Sequence, residues 1–237
     1  MSKRFDATIV GLYILDVLGR PVTKIPDGGN VEFIEELRLT VAGTAGGTVV
    51  DCAKLGLKTL AVGAVGDDEK ADFVIATLQK FGVDTSGFER VKNVPTSATI
   101  LNVRPNGDRP ALHLRGASDH FLPPKKDKID IFDCKVFHLG GTGLLEKLDG
   151  QASVDVLKEA KERGCITTWD LIAATEDTLT IVEPLLPYID YFMPSIEEAS
   201  VMSGKNDPEE AAKFYIDRGV QNCVLTMGEK GSLFMSK

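Results

Sequence analysis

The sequence has little that would serve redox or metal chemistry. It carries 4 Cys and 3 His in 237 residues. Cys52, Cys134, Cys165 and Cys223 form no C-x-x-C pair, and His113, His120 and His138 stand apart from them. Zinc-type and thioredoxin-type spacings are both missing. Cys165 and Cys223 sit in apolar runs and read as reduced core thiols of a cytoplasmic protein. No apolar run reaches the length of a bilayer span. Residues 7–18 look like a signal core until Asp16 interrupts them, and no A-x-A site follows, so a first core strand is expected there. Positive charge is also short, with 27 Lys+Arg against 35 Asp+Glu and a net charge of −8. That sign disfavours nucleic acid and anionic membranes as partners. The run Lys125, Lys126 and Lys128 follows Pro123-Pro124 and reads as a solvated loop. No G-x-x-x-x-G-K-[ST] and no G-x-S-x-G occur, which excludes a P-loop and a hydrolase elbow. Gly141-Thr142-Gly143 opens like a dinucleotide loop, but Glu146 stands where the last Gly belongs.

What remains is a globular composition, 43% hydrophobic and 26% charged, long enough for a large core. Apolar strands alternate with amphipathic helices. Strands are expected at 7–11, 58–65, 136–139, 165–170, 190–193 and 220–227. Helices are expected at 45–55, 68–81, 152–163, 178–186, 195–202 and 208–218, the last with Asp207 as N-cap and Pro208 in its first turn. Strands apolar on both faces imply an α/β fold with a mostly parallel sheet covered on both sides. Residues 37–41 and the pair 97–104 and 111–115, flanking Asn106-Gly107, break this rhythm and read as a small antiparallel sheet. Leu101, Val103, Leu112 and Leu114 are expected on one apolar face of it, covering a ligand, its own domain or a partner chain.

In an open parallel sheet, ligands bind beyond the carboxyl ends of the strands. Asp16, the glycine-rich run 42–48, Asp170, the run 195–198 and Thr226–Gly231 all follow strands. The 42–48 run opens a helix; it serves either ligand approach to bare backbone or close helix–sheet packing. Ser195 and Glu198 suit a capping box as well as a magnesium shell. Thr226–Gly231 suits a tight hairpin turn as well as a phosphate cradle.

Taken together and in order, these segments resemble the PfkB (ribokinase-like) family of carbohydrate and nucleoside kinases over essentially the whole chain. The motifs are Asp16 after the first strand, Gly43 to Gly56, Val62 to Asp67, Phe81 to Thr85, Arg115-Gly116-Ala117, Ser195 to Glu198 and Thr226 to Gly231. The resemblance implies a three-layer sandwich, residues 1–237, with lid insertions at about 17–41 and 97–116. It implies transfer of the ATP γ-phosphoryl group to a sugar or nucleoside hydroxyl, with Mg²⁺. Asp16, Gly43, Gly47 and Arg115 would then bind substrate. Asp170, Ser195, Thr226, Gly228 and Gly231 would bind nucleotide, and Glu198 would act indirectly on Mg²⁺. A homodimer through the lid is implied as well.

The chain departs from the family pattern at Gly47 and Ser195, where the family has Asn, and at Ile172 and Ala174, where it often has Asn and Arg. No Gly-Ala-Gly-Asp stretch, which supplies the family's catalytic base, occurs up to Lys237. The base is expected beyond that point, and the apolar run 222–235 is expected to present an open groove for further chain or a partner. The alternative expectation is a sugar- or nucleoside-binding protein of the same fold without turnover.

Overall fold

The computed structural model describes residues 3–124 and 127–237. Lys125 and Lys126 of the basic run lie outside them. β1 (Phe5–Gly11) leads to β2 (Ile14–Arg20), β3 (Glu36–Ala42), α1 (Thr44–Lys54), β4 (Thr59–Gly66), α2 (Glu69–Lys80) and β5 (Asp84–Val91). β6 (Ala98–Asn102) and β7 (Ala111–Leu114) follow. The second half alternates as β8 (Cys134–Thr142), α3 (Gln151–Glu162), β9 (Ile166–Leu171), α4 (Thr178–Val182) and β10 (Tyr191–Phe192). It closes with α5 (Ile196–Ser203), α6 (Pro208–Ile216), β11 (Asn222–Thr226) and β12 (Ser232–Ser236).

Local chemistry sets these boundaries. Asp68 caps α2 by accepting from the Ala71 amide, and Asp207 caps α6 by accepting from Glu209 and Glu210. The helix expected at 178–186 stops being α-helical at Val182 and continues as a 3₁₀ segment, Glu183–Tyr188. Pro184 and Pro187 explain the change, because neither can donate to the i−4 ladder.

The large sheet has the order β12-β11-β10-β9-β8-β1-β4-β5, parallel except for β12. On one face, Trp169 stacks on Phe192 at 4.4 Å and Tyr215 meets Phe192 edge-on, beneath α3, α5 and α6. The opposite face packs Tyr13, Val49, Val74 and Leu78 under α1 and α2. Those two helices cover β8, β1, β4 and β5, whereas Ile166, Tyr191 and Phe234 are exposed on the remaining strands and Met193 just past β10. The open groove expected at 222–235 is thus one-sided. Cys223 and Leu225 are buried beneath the preceding helices, while Phe234, paired with Val224, faces out.

The smaller sheet, β3-β2-β6-β7, has antiparallel outer pairs around a parallel β2–β6 pair. Its hairpin register departs from expectation. Leu101 pairs with Ala111 and Ile100 with Leu112, so the apolar row is Leu39–Val17–Ile100–Leu112. Leu101 lies on the other face. A two-residue Asn106-Gly107 turn would have paired Leu101 with Leu112. The chain instead makes a three-residue loop, 105–107, closed by Arg104 N–H to Asp108 O, with Gly107 at φ 91°. One extra loop residue exchanges the two faces of the strand.

Candidate functional site

The strand ends of the large sheet bring most of the candidate residues to one edge. β1 ends at Gly11, paired with Gly140 of β8. Asp170 lies at the end of β9, Ser195 just past β10, and Thr226 at the end of β11, bridged to Ser195. β1 and β11 are four strand spacings apart, about 19 Å at about 4.8 Å each. Two ligands can lie side by side along that edge.

At the β1 end the chain needs glycine. Gly43 adopts φ 84°, and a Cβ there would sit 2.3 Å from the Leu12 carbonyl oxygen. The residue therefore fixes how α1 approaches the sheet. Gly47 differs, since a Cβ on it would meet nothing within 4 Å. It opens space beside the first turn of α1. The two explanations of the 42–48 run divide between these residues: packing at Gly43, openness at Gly47.

Asp16 stands on the smaller sheet above this end. It belongs to a polar row across all four strands, Thr40–Asp16–Thr99–His113. Thr99 Oγ1 and His113 Nδ1 are 3.0 Å apart. Asp16 Oδ1 is buried and has no hydrogen-bond partner. Burial pushes its carboxyl above the ordinary value, and the Thr99 hydroxyl pulls it partly back. A buried, unpaired carboxylate oxygen is costly unless a donor reaches it, and a sugar hydroxyl is such a donor.

Beneath it, at the β8 end, three polar atoms converge on Gly140. A Cβ there would lie 2.9 Å from His138 Nε2, 3.0 Å from Thr44 Oγ1 and 3.1 Å from the Ala45 amide. The first two atoms are buried without hydrogen-bond partners. Asp170 Oδ1 accepts from the Gly141 amide at 3.1 Å, and its Oδ2 lies 3.6 Å from His138 Nε2. Asp170 thereby braces the Gly140–Gly141 backbone.

Arg115 is engaged elsewhere. Its guanidinium makes a two-pronged pair with Asp119, at 2.7 and 2.8 Å. It lines a cavity of about 550 Å³ with Gly143, Glu146, Asp149, Gln151 and Thr180. Burial pushes the Asp149 carboxyl up, although the Gly143 and Leu145 amides oppose the shift.

At the far end, Ser195 and Glu198 form a full capping box on α5. The Ser195 amide and hydroxyl both bond Glu198 Oε2, at 2.9 and 2.8 Å, and Glu198 N–H bonds Ser195 Oγ at 3.3 Å. Residues Gly228–Lys230 make a single 3₁₀ turn between β11 and β12, closed by Met227 N–H to Gly231 O at 2.8 Å. Gly228 and Gly231 take positive φ, and a Cβ on either would meet nothing within 4 Å. It is both a hairpin turn and an exposed loop whose backbone is bare at Gly228 and Gly231.

The model of the pfkB family carbohydrate kinases matches residues 7–237. The chain belongs to that family. A deoxyribokinase of Salmonella typhi is 24% identical over 98% of this chain and 75% of its own length. Fructokinase-2 of Solanum lycopersicum is 26% identical over 82% of this chain, which spans 62% of it. Among solved structures, Arabidopsis thaliana ribokinase complexed with ribose and ATP superposes with a TM-score of 0.80 at 20% identity, over 100% of this chain and 76% of that one. A Giardia lamblia ribokinase gives 0.81 at 19%, over 98% and 77%. The fold is ribokinase-like.

This pfkB chain offers the groups of its family unevenly. Among the described residues, no three His, Cys, Asp or Glu side chains converge as a metal shell. Mg²⁺ needs only one or two protein carboxylates when phosphates and water supply the rest. Glu198 fits that lesser part, because each of its capping bonds as acceptor falls on Oε2. The open backbone at Gly228 and Gly231 leaves room for a phosphate. Thr44 lies within the 42–48 run marked in the sequence, whereas Thr99, His113 and His138 were not singled out as site residues. Their place depends on pairings between strands far apart in the chain, which no local spacing reveals.

Proposed function

We propose that the chain binds a sugar or sugar-like polyol between the smaller sheet and the β1–β8 ends, with ATP beside it at the β10–β11 ends, for phosphorylation of a substrate hydroxyl. The unpartnered, buried Asp16 Oδ1 carries this reading, because it lacks a donor that a polyol supplies. Gly47 leaves room for the polyol, and Thr99 and His113 extend the polar wall. Arg115 acts on substrate only by leaving Asp119, so it is a weaker contact than the resemblance implies. Asp170 holds the floor of the cleft by fixing the Gly141 amide. Thr226, Gly228 and Gly231 present hydroxyl and backbone to the nucleotide phosphates, and Ser195 and Glu198 fix the neighbouring helix. When bound, Mg²⁺ neutralises phosphate charge near Glu198. No residue within 7–237 is assigned as the base.

The smaller sheet's apolar row favours a homodimer. Leu39, Ile100 and Leu112 are exposed on its outer face, and two copies bury them together. A second functional reading, ligand binding without turnover, is favoured by the engagement of Glu198 in the capping box and by Ala174 where a basic residue is usual.

Calorimetry with ribose, 2-deoxyribose and fructose, alone and with a non-hydrolysable ATP analogue and Mg²⁺, tests the site. One of the three is expected to bind, more tightly when the analogue is present. Absence of binding by all three and by the analogue overturns the assignment. An ATP-consumption assay alongside separates kinase from binding protein.

A further inference from the structure

Two cysteines that are 31 residues apart in sequence meet at the opposite end of the sheet from the candidate site. Cys134 opens β8, and Cys165 immediately precedes β9. Val136 pairs with Ile166, so the two are offset by one residue on neighbouring strands. A strand spacing of about 4.8 Å and a rise of about 3.3 Å place their Cα atoms about 6 Å apart. That falls inside the range a disulfide spans. Their sulfur atoms lie 3.8 Å apart, and both residues are buried. Charge is arranged unequally around them. Lys3 Nζ reaches Cys165 Sγ at 3.9 Å and is itself held by the Phe132 and Arg163 carbonyls, at 2.9 and 3.2 Å. The Cys134 thiol bonds Cys165, and together with Lys3 and Arg163 it draws the Cys165 thiol down, against burial. The same pairing, with burial, pushes Cys134 up. The Cys165 thiol also donates to the Phe132 and Cys134 carbonyl oxygens, each at 3.3 Å, but it is the sulfur beside the Lys3 ammonium, which places it to attack and Cys134 to resolve.

We propose that Cys134 and Cys165 form a peroxide-oxidised dithiol site, with Cys165 as the attacking sulfur. Cys165 S⁻ displaces hydroxide from hydrogen peroxide and becomes a sulfenic acid. The Cys134 sulfur then attacks the Cys165 sulfur; the S–S bond forms, the S–O bond breaks, and the Cys134 proton leaves with the oxygen as water. The dithiol loses two electrons and two protons, and peroxide is reduced to two waters. Burial selects a small oxidant over a bulky one such as glutathione disulfide. The site is independent of nucleotide and sugar, since it lies at the amino ends of β8 and β9.

The test uses the whole chain, treated with hydrogen peroxide or with glutathione disulfide, then denatured, blocked with N-ethylmaleimide and mapped with trypsin. Lys135 and Arg163 place the two cysteines on separate peptides. Peroxide is expected to join these peptides, lighter than their sum by two hydrogen atoms. Blockable thiols fall from four to two, and dithiothreitol restores them. Cys52 is more exposed but has its thiol pushed up by burial and by Asp51, and it is expected to stay reduced. Cys134→Ser is expected to stop at a dimedone-trappable sulfenic acid on Cys165. Four thiols still blockable after peroxide overturn the proposal. So does oxidation of Cys52 ahead of the pair, a sulfinic acid on Cys165 with Cys134 still free, or faster modification by glutathione disulfide. The wild-type map decides the matter even where a variant folds poorly.

Discussion

On the proposed reading, Asp16 sets stability against recognition. Burial raises its folded-state pKa above the ordinary 3.8, so the folded chain holds the proton more tightly than the unfolded one. The cost to stability appears as pH rises through that window and persists at neutral pH. Asp16→Asn is therefore expected to leave the melting temperature of the free chain unchanged or higher. Sugar affinity should fall by about 10–150-fold, the worth of a charge-assisted hydrogen bond of about 1.5–3 kcal/mol. In the wild type, affinity should weaken as acid protonates the carboxylate. Paired thermal and calorimetric titrations read both effects, and a lower melting point with unchanged sugar binding would refute the assignment. The two glycines of the α1 entry should separate as well. Gly47→Ala is expected to raise stability by about 0.5–1 kcal/mol, as for an exposed helical position. Gly43→Ala should lower it by about 1–3 kcal/mol, since it forces a side chain into positive φ against Leu12. Chemical denaturation measures the two directions. Asp16 was legible in the sequence because a charge interrupts an apolar run. Its row neighbours Thr99 and His113 were not, because they come level with it through the β2–β6 and β6–β7 pairings, across some 80 residues of chain or more.

Among the elements, α2 shows how a cap can tie distant pieces together. Asp68 Oδ1 accepts from the Ala71 amide at 3.0 Å and from the Thr96 hydroxyl, while Oδ2 takes the Thr96 amide at 2.9 Å and Lys70. Burial opposes the charge, but these bonds outweigh it and hold the carboxyl well below the ordinary range. Its stabilising effect is present above the unfolded value of 3.8 and is lost as pH falls through the folded one. Asp68→Ala should cost about 1–2 kcal/mol at neutral pH, the usual worth of a helix cap. The gap to wild type should narrow below pH 3.8. Urea midpoints across pH test this, and a gap that widens in acid would contradict it. Helix starts of this kind are readable in advance because a cap is a local event: Asp207 and Ser195 were legible as caps, whereas the helix expected from 68 begins one residue later, with Asp68 as its cap. The β6–β7 register was not readable. Asn106-Gly107 permits both a two-residue and a three-residue loop, and pairing across the whole smaller sheet decides between them.

At the scale of the molecule, a mostly parallel sheet was implied by the alternation of apolar strands and amphipathic helices, whereas the order of its strands, and with it the proximity of Cys134 and Cys165, was not. The smaller sheet adds a property no single strand has: a polar wall inward and an apolar row outward. Ile100→Asp or Leu112→Asp, at exposed positions, is expected to convert a dimer to monomer without loss of folding. Light scattering after size exclusion measures the mass, and a wild-type monomer would remove the dimer from the reading.

The three residues between Arg104 and Asp108 therefore govern more than a bend in the chain. Deleting one would turn the imidazole of His113 outward and swing Leu112 into the cleft. On the proposed reading, ligand choice and self-association would be lost together through a change in length alone, with every neighbouring side chain intact.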